Sequence, residues 1–405
     1  VGGLSCRRPS LAVKTMSNHP MPTRGFPTSE FETRTSRAQQ AMRDVQLDAL
    51  LVTTEPEIRY FTGFQTQFFE SPTRPWFLIV PADGKPIAVI PTIGEAGMAA
   101  TWIDEIKTWP SPTPEDDGIS LLAASVNALP NRFGRLGLPL GQESVLRMPA
   151  RDTRVLGDNV SLELVDCAQL MLGLRFVKSD LEIEKIRFAC EITSDEFDAL
   201  ATISTLGESE REISRRMRMN LLERGADSTP YLIAGSGQGG YDNIIMGPTD
   251  RILKDGDVLI IDTGSTFDGY FCDFDRNYAF GHIADDTRRA HEAVHRATDV
   301  GFAAARPGAT MAEVWAAMWA VLEAGGALGN DVGRMGHGLG MQLTEWPSVK
   351  QSDHTELKPG AVITLEPGMA FAPGRQLVHE ENIVITADGA DWLTHRAPAD
   401  MPVIT

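Results

Sequence analysis

Apolar residues follow two different rhythms along the chain, and the change falls near residue 175. Before it come short apolar runs of strand length: Ala49-Leu50-Leu51-Val52, Trp76-Phe77-Leu78-Ile79-Val80 and Ala88-Val89-Ile90. Asp83-Gly84, Pro91 and the proline-rich stretch 110–114 punctuate them as turns, and residues 35–45 are polar and helix-compatible. This pattern predicts a small α/β domain over 31–174, after an extension over 1–30 with little regular structure. From 175 onward the period lengthens. Ser179 with Glu182 three residues later makes a capping box. The helix behind it carries Ile183, Ile186, Cys190, Thr193, Phe197 and Leu200 at three-and-four spacing. A second helix is predicted over 208–223, with Gly225 as its terminating residue. Strand-length runs follow at 257–263, 270–280, 361–365 and 382–386, and helical text fills 284–304 and 311–324. Helices and strands in this order predict an α+β domain over 175–405.

Composition narrows the function. A chain of 405 residues exceeds one typical core, which agrees with two domains. No apolar run reaches the length of a membrane span, and the first residues lack the apolar centre of a secretory signal. Cys6, Cys167, Cys190 and Cys272 are widely spaced, which predicts reduced thiols and a cytoplasmic location. A net charge of -18 argues against a nucleic-acid partner, since a phosphate backbone requires a basic surface.

The chemistry concentrates in the second domain. The run 257–261 leads straight into Asp262, which places that acid at a strand end. Phe267-Asp268-Gly269 signals a hairpin, and the return strand carries Asp273 and Asp275. A turn centred on 267/268 sets Asp262 opposite Asp273; one centred on 268/269 sets it opposite Asp275. Either register puts all three acids on one face, where like charges repel unless a cation lies between them. Further along, His337 sits in Gly336-His337-Gly338-Leu339-Gly340. Glu366 ends an apolar strand, and Glu380 precedes another. Four carboxylates with one imidazole suit Mn²⁺, Fe²⁺, Co²⁺ or Zn²⁺, and carboxylates can bridge two such ions. The GxGxxG match over 235–240 lacks a following helix, so it predicts a substrate-facing loop and not a dinucleotide site. His291 and His295, four apart beside Arg288, Arg289 and Arg296, predict a solvated helix face.

Several motifs together resemble the pita-bread metallopeptidases, the family of prolidase, aminopeptidase P, methionine aminopeptidase and creatinase. They are Asp-x-Gly-x4-Gly-Tyr-x2-Asp at 262–273, His-Gly-x-Gly at 337–340, Glu-Pro-Gly at 366–368 and the final Glu380. The junction Arg175-Phe-Val-Lys-Ser and the stretch Pro248-Thr-Asp-Arg resemble the family as well. The resemblance implies two divalent ions held by Asp262, Asp273, His337, Glu366 and Glu380. It implies a metal-bridging hydroxide as nucleophile, Glu366 as proton acceptor, a dipeptide-like small substrate and a homodimer. Two departures stand out: the family's substrate-side histidines fall here on Ile245 and Thr344, and Asp275 replaces a usual threonine. Tyr241, Asn243 or His379 then becomes a candidate for the missing histidines' work, Thr344 joins Tyr241 and Asn243 as a candidate substrate-binding residue, and Arg375 is a candidate for binding a substrate carboxylate. Xaa-Pro dipeptides are accordingly expected to be poor substrates. The expected activity is hydrolysis of a peptide or amide C–N bond. The alternatives are a non-peptidase amidohydrolase, or elimination from a small carboxylic acid with Asp275 or His379 as base, as in the dimethylsulfoniopropionate-lyase branch. A non-catalytic binding module is a third reading, disfavoured because no ligand is lost.

Overall fold

A computed structural model describes residues 20–329 and 333–405. Residues 1–19 of the predicted extension lie outside the described residues. The first helix, α1 (Thr28–Asp44), starts earlier than the sequence pattern suggested. Ahead of it the chain is pinned to the second domain: Arg24 donates to both Asp227 oxygens (2.9 and 2.6 Å) and Lys185 donates to the Thr23 carbonyl (2.6 Å).

The first domain alternates α1, β1 (Ala49–Val52), α2 (Glu55–Thr62), β2 (Phe77–Pro81), β3 (Ile87–Pro91), α3 (Glu95–Ala99) and β4 (Glu105–Trp109). It continues with α4 (Ile119–Asn127), β5 (Arg135–Leu138), α5 (Ala150–Asn159), β6 (Glu163–Asp166) and α6 (Ala168–Phe176). The six strands form one mixed sheet in the order β4-β3-β2-β1-β5-β6. Helices cover both of its faces, which is why its inner strands read as unbroken apolar runs. Leu50, Val52, Leu78 and Val80 join one core, and Ala49, Leu51, Phe77 and Ile79 the other.

The second domain opens with α7 (Asp180–Ile203) and α8 (Glu210–Arg224). Ser179–Glu182 and Ser209–Glu212 both close capping boxes, and Gly225 ends α8 at φ 112°. Next come β7 (Ser228–Gln238), β8 (Asp257–Phe267), β9 (Tyr270–Phe271) and β10 (Phe274–Phe280), then α9 (Asp285–Ala304) and α10 (Met311–Ala324). The remainder is β11 (His337–Gly338), β12 (Glu345–Ser348), β13 (Val362–Leu365), β14 (Gly368–Ala372), β15 (Arg375–Val378), β16 (Glu381–Ile385), β17 (Ala390–Trp392) and β18 (Val403–Ile404). One sheet runs β18-β10-β8-β7 with β9 beside β8, another β12-β11-β13-β16-β17, and β14-β15 form a ribbon. Along β8, Leu259 and Ile261 pack toward α7 and α8, whereas Val258 and Ile260 pack toward α9 and α10. Both parities are buried, so β8 also reads as a continuous apolar run.

Two predicted boundaries change. β8 does not stop at Asp262 but extends to Phe267, because the hairpin keeps its ladder paired beyond the acid. The return strand is broken between β9 and β10, leaving Cys272 and Asp273 outside the ladder. Asp268 (φ 47°) and Gly269 (φ 74°) are both left-handed, as a tight two-residue hairpin turn requires. That centres the turn on 268/269 and pairs Asp262 with Asp275.

The domains are joined by buried charge as well as by core. Asp268 binds Lys185 (2.8 Å) and reaches across to Arg59 of α2 (3.2 Å). At the junction, Glu345 accepts from both Arg175 and Lys178, the latter at 3.0 Å. Against the pull of burial, those two cations hold the Glu345 carboxyl down at about 2. Glu345→Ala leaves two buried cations without their anion and is expected to cost about 3–5 kcal/mol. Calorimetry should record a lower thermal midpoint; an unchanged one would mean that Arg175 and Lys178 are satisfied without Glu345.

Candidate metal centre

Each acid reaches the centre of the second domain by a different local device. Asp262 on β8 faces Asp275 on β10 directly. Asp273 occupies the break between β9 and β10, where Asn382 clamps its peptide: the Asp273 N–H donates to Asn382 Oδ1 (3.0 Å) and Asn382 Nδ2 donates to the Asp273 carbonyl. Glu366 follows the end of β13, and Glu380 lies between β15 and β16. His337 opens β11 between two glycines that admit no side chain. A Cβ on Gly336 would meet the Thr364 carbonyl oxygen at 2.1 Å, and one on Gly338 the Trp346 carbonyl oxygen at 2.5 Å.

The His337 ring is oriented by its own backbone. Nδ1 donates to the Gly338 carbonyl (2.9 Å), which leaves Nε2 as the acceptor nitrogen, 3.3 Å from Asp273 Oδ2. Ligand atoms of Asp273, His337 and Glu380 all lie within 4.8 Å of one another. Three buried oxygens, Asp262 Oδ1, Asp273 Oδ1 and Glu380 Oε1, receive no hydrogen bond. Among the described residues, none of the acids 262, 273, 275, 366 and 380 forms an ion pair with lysine or arginine. Burial, reinforced by their mutual repulsion, raises the carboxyls of Asp262, Asp273, Asp275 and Glu380 far above the usual range. Burial also lifts Glu366 to about 7, with Asp262 adding to the rise and His337 and Arg334 opposing it. Unpaired, converging carboxylate oxygens beside a free imidazole nitrogen are the donor set of a divalent cation, so the residues present fit the metals expected of them.

A second layer braces this one from behind. Strand alternation turns Arg276 and Glu381 away from the acids that precede them. Arg276 donates to the carbonyls of Asp275 (2.7 Å) and Glu380 (3.0 Å) and to the Glu381 carboxylate (3.0 Å). One guanidinium thus ties together the two sheets that carry the acids.

Comparison with known proteins now decides the family. A model of metallopeptidase family M24 matches residues 184–387, half of the chain, and a creatinase/prolidase N-terminal domain model matches 34–177. The chain belongs to metallopeptidase family M24. It is 29% identical over 389 residues to a probable dipeptidase PepE of Mycobacterium tuberculosis, covering 95% of this chain and 99% of that one. It is 32% identical over 225 residues to a Xaa-Pro dipeptidase of Pyrococcus furiosus, covering 55% and 64%. The solved dipeptidase PepE of Mycobacterium ulcerans superposes with a TM-score of 0.81 at 26% identity, covering 94% and 99%. The M24 chain is therefore a hydrolase, with the two-domain pita-bread architecture that the motifs implied.

Other candidates from the sequence separate into those at this centre and those away from it. Asp275 is in it, 1% exposed and opposite Asp262. Thr344 sits at the rim, where Arg334 donates to its hydroxyl (3.3 Å). His379 is not turned to the acids. Its ring lies on the rear side, 3.4 Å from Glu381 and against Arg396, stacked on His295. Tyr241 is a buried brace, donating to Asn277 (3.0 Å) and accepting from the Val378 N–H (2.8 Å). Asn243 caps its own loop by accepting from the Ile245 and Met246 N–H groups, and Arg375 is paired with Asp286 (2.5 Å). The 235–238 part of the glycine-rich stretch is strand paired with β8, not an open loop. His291 is buried on α9 and packs on His379, so its helix face is not solvated.

Sequence reasoning missed four residues of the M24 site. Tyr231 on β7 donates to Asp262, and Arg334 is a cation whose field opposes the rise of Asp273 and Glu366. Arg276 and Asn382 hold the backbone beneath the acids. Only Tyr231 had a findable signal: it lies two residues from Ile233, the β7 partner of Asp262, and so on the same face.

Two predictions follow from this charge arrangement. Glu366 binds a proton more tightly folded than unfolded, so without metal its contribution is full below about 4.5 and fades as pH rises through about 7. The buried His291 and His379, away from the acids, act in the opposite sense but equally with and without metal. His337 at the centre must be unprotonated to bind a cation and so favours loading as pH rises. The gap in thermal midpoint between Mn²⁺-loaded and chelated protein should therefore widen from pH 5 to 8; a constant gap would remove the buried acids as its cause. Arg276→Lys keeps the charge but cannot span two carbonyls and a carboxylate, so Mn²⁺ affinity should fall about 10–100-fold. Titration calorimetry measures this, and wild-type affinity would show that Arg276 does not position the ligands.

Proposed function

We propose that the chain hydrolyses a peptide or amide C–N bond in a small, dipeptide-sized substrate, with two divalent ions held by Asp262, Asp273, His337, Glu366 and Glu380. The observation that carries this reading is the convergence of three buried carboxylate oxygens that nothing in the protein satisfies. Bound there, such ions acidify water and polarise a substrate carbonyl. Glu366, lifted to about 7, takes the proton from the attacking water and returns it to the departing nitrogen. Tyr231 fixes the rotamer of Asp262 through its hydroxyl. Arg334 and Thr344 at the rim bind a substrate carboxylate, taking up work that Ile245, 79% exposed on its loop, cannot do.

The cleft between the domains bounds the size of the substrate. It encloses about 710 Å³ and is lined by Glu55, Arg59, Gln65 and Glu70 on one wall and by Thr266 and Thr344 on the other. That volume accommodates a dipeptide-sized substrate, and Thr344 on its wall joins it to the rim of the metal centre. The names of the dipeptidase relatives support the same class.

One observation favours a second reading. Asp275 adds a fifth buried acid where the resemblance expects threonine, and a base beside the ligands suits elimination from a small carboxylic acid.

The experiment is a panel of dipeptides, with and without proline, assayed on Mn²⁺-loaded protein alongside metal analysis by plasma mass spectrometry. Two equivalents of metal per chain and amine release abolished by chelation are expected, with Xaa-Pro dipeptides the slower group. Asp262→Ala should lose metal and activity together. Glu366→Gln should lower kcat by about 10²–10⁴-fold. Release of an alkene without amine would replace hydrolysis with elimination, and wild-type metal content in Asp262→Ala would refute the ligand set.

A further inference from the structure

Behind the metal centre, on the far side of Arg276, lies a separate cavity of about 200 Å³. Its walls are Phe197 and Ala201 of α7, Tyr278 of β10, and Ala397, Pro398 and Pro402 from the end of the chain. Arg276, Asn277, His291 and His379 supply polar atoms, and Asp198 stands at the opening.

Nearly every polar group around it is already engaged. Arg276 is consumed by the carbonyls of Asp275, Glu380 and His395 and by the Glu381 carboxylate. Asn277 donates to the Val378 carbonyl (2.6 Å), Tyr278 to the Phe197 carbonyl (2.8 Å), and Asp198 accepts from His395 (3.1 Å). His379 is held by Glu381, and the neighbouring His295 reaches the Ala397 carbonyl (3.1 Å). His291 is the exception. It is 4% exposed, and neither ring nitrogen makes a hydrogen bond, the Pro398 carbonyl lying close but outside bonding geometry. Burial, with His295 nearby, lowers its pKa to about 4, so at neutral pH the ring offers one donor and one acceptor. A buried polar group left without a partner is destabilising, and a resident molecule that hydrogen-bonds to it recovers that loss.

The ligand's chemistry follows from the lining. The two charged residues of the lining are already paired, Arg276 with Glu381 and Asp198 with His395, so no free charge faces the cavity and the occupant is neutral. Two aromatic rings, two alanines and two prolines call for a flat apolar body, and His291 for one hydroxyl. The volume equals that of about six or seven waters, below the range of drug-sized sites, so the body is a single ring. We propose that this cavity is a binding site for a small neutral aromatic alcohol of the phenol class, anchored on His291 and distinct from the metal centre.

Phenol itself is the probe, titrated calorimetrically into the Mn²⁺-loaded protein and into chelated protein. Saturable one-to-one binding in the millimolar range or tighter is expected in both, since no metal ligand lines the cavity. At ten times its dissociation constant, phenol should raise the thermal midpoint by about 2 °C or more. Ala201→Phe fills the cavity without touching the acids and should weaken phenol at least tenfold while leaving metal content and dipeptide turnover unchanged. His291→Phe removes the anchor and should weaken phenol similarly. Absence of saturable binding in the wild type would mean that water satisfies His291, and the proposal fails. Equal affinity in Ala201→Phe, or loss of binding on chelation, would place phenol elsewhere and overturn it as well.

Discussion

The cost of taking carboxylates out of water governs this molecule. Asp262, Asp273, Asp275, Glu366 and Glu380 are gathered where no lysine or arginine pairs with them among the described residues, and three of their oxygens find no donor at all. A buried ion without a partner costs several kcal/mol even after local relaxation. Five together are tolerable only if protons or cations join them, and protonation is the direction in which burial drives all five. The protein holds this arrangement in readiness with rigid backbone: a clamped peptide at Asp273, glycines around His337, and a cross-strand pair at Asp262 and Asp275.

Strand alternation divides the labour. On β10, Asp275 faces Asp262 on the acids' side, while Arg276 and Tyr278 face the rear. At the start of β16 the same switch sends Glu380 to the front and Glu381 to the back. The rear layer is compensated where the front is not: Glu381, fully buried, accepts from Arg276, Arg396 and the Ala397 N–H, and Arg276, His379 and Arg396 hold its carboxyl well below the usual range against the pull of burial. A neutralised ionic layer therefore supports a layer that waits for cations.

Much of this is legible in the sequence because each proposed ligand is marked by its neighbours. Asp262 and Glu366 follow apolar runs, His337 is bracketed by glycines, and the start of α7 is written as Ser179–Glu182. The hairpin register was undecided between two turns. It turned on Asp268 adopting a left-handed conformation, and the contacts around that residue lie in distant segments. The roles given to His379, Tyr241 and Arg375 rested on proximity in sequence to a ligand or a substrate loop. Their side chains follow tertiary partners instead: Glu381, Asn277 and Asp286. Arg334 and Arg276 went unnoticed for the same reason, since an isolated arginine carries no periodic signal of what it will reach.

The clasp at Asp268 has a consequence for how this chain can be taken apart. That residue sits at the tip of the hairpin whose pairing sets Asp262 against Asp275, and it is held from outside the second domain by Arg59 and Gln65 as well as by the Gly25 N–H (2.8 Å). The amino-terminal half is thus a jig for the register of the other half. A one-residue slip would turn Asp262 to the wrong face. Excising the second domain as a minimal catalyst, or grafting it onto another partner, therefore risks misaligning ligands that lie in none of the deleted sequence.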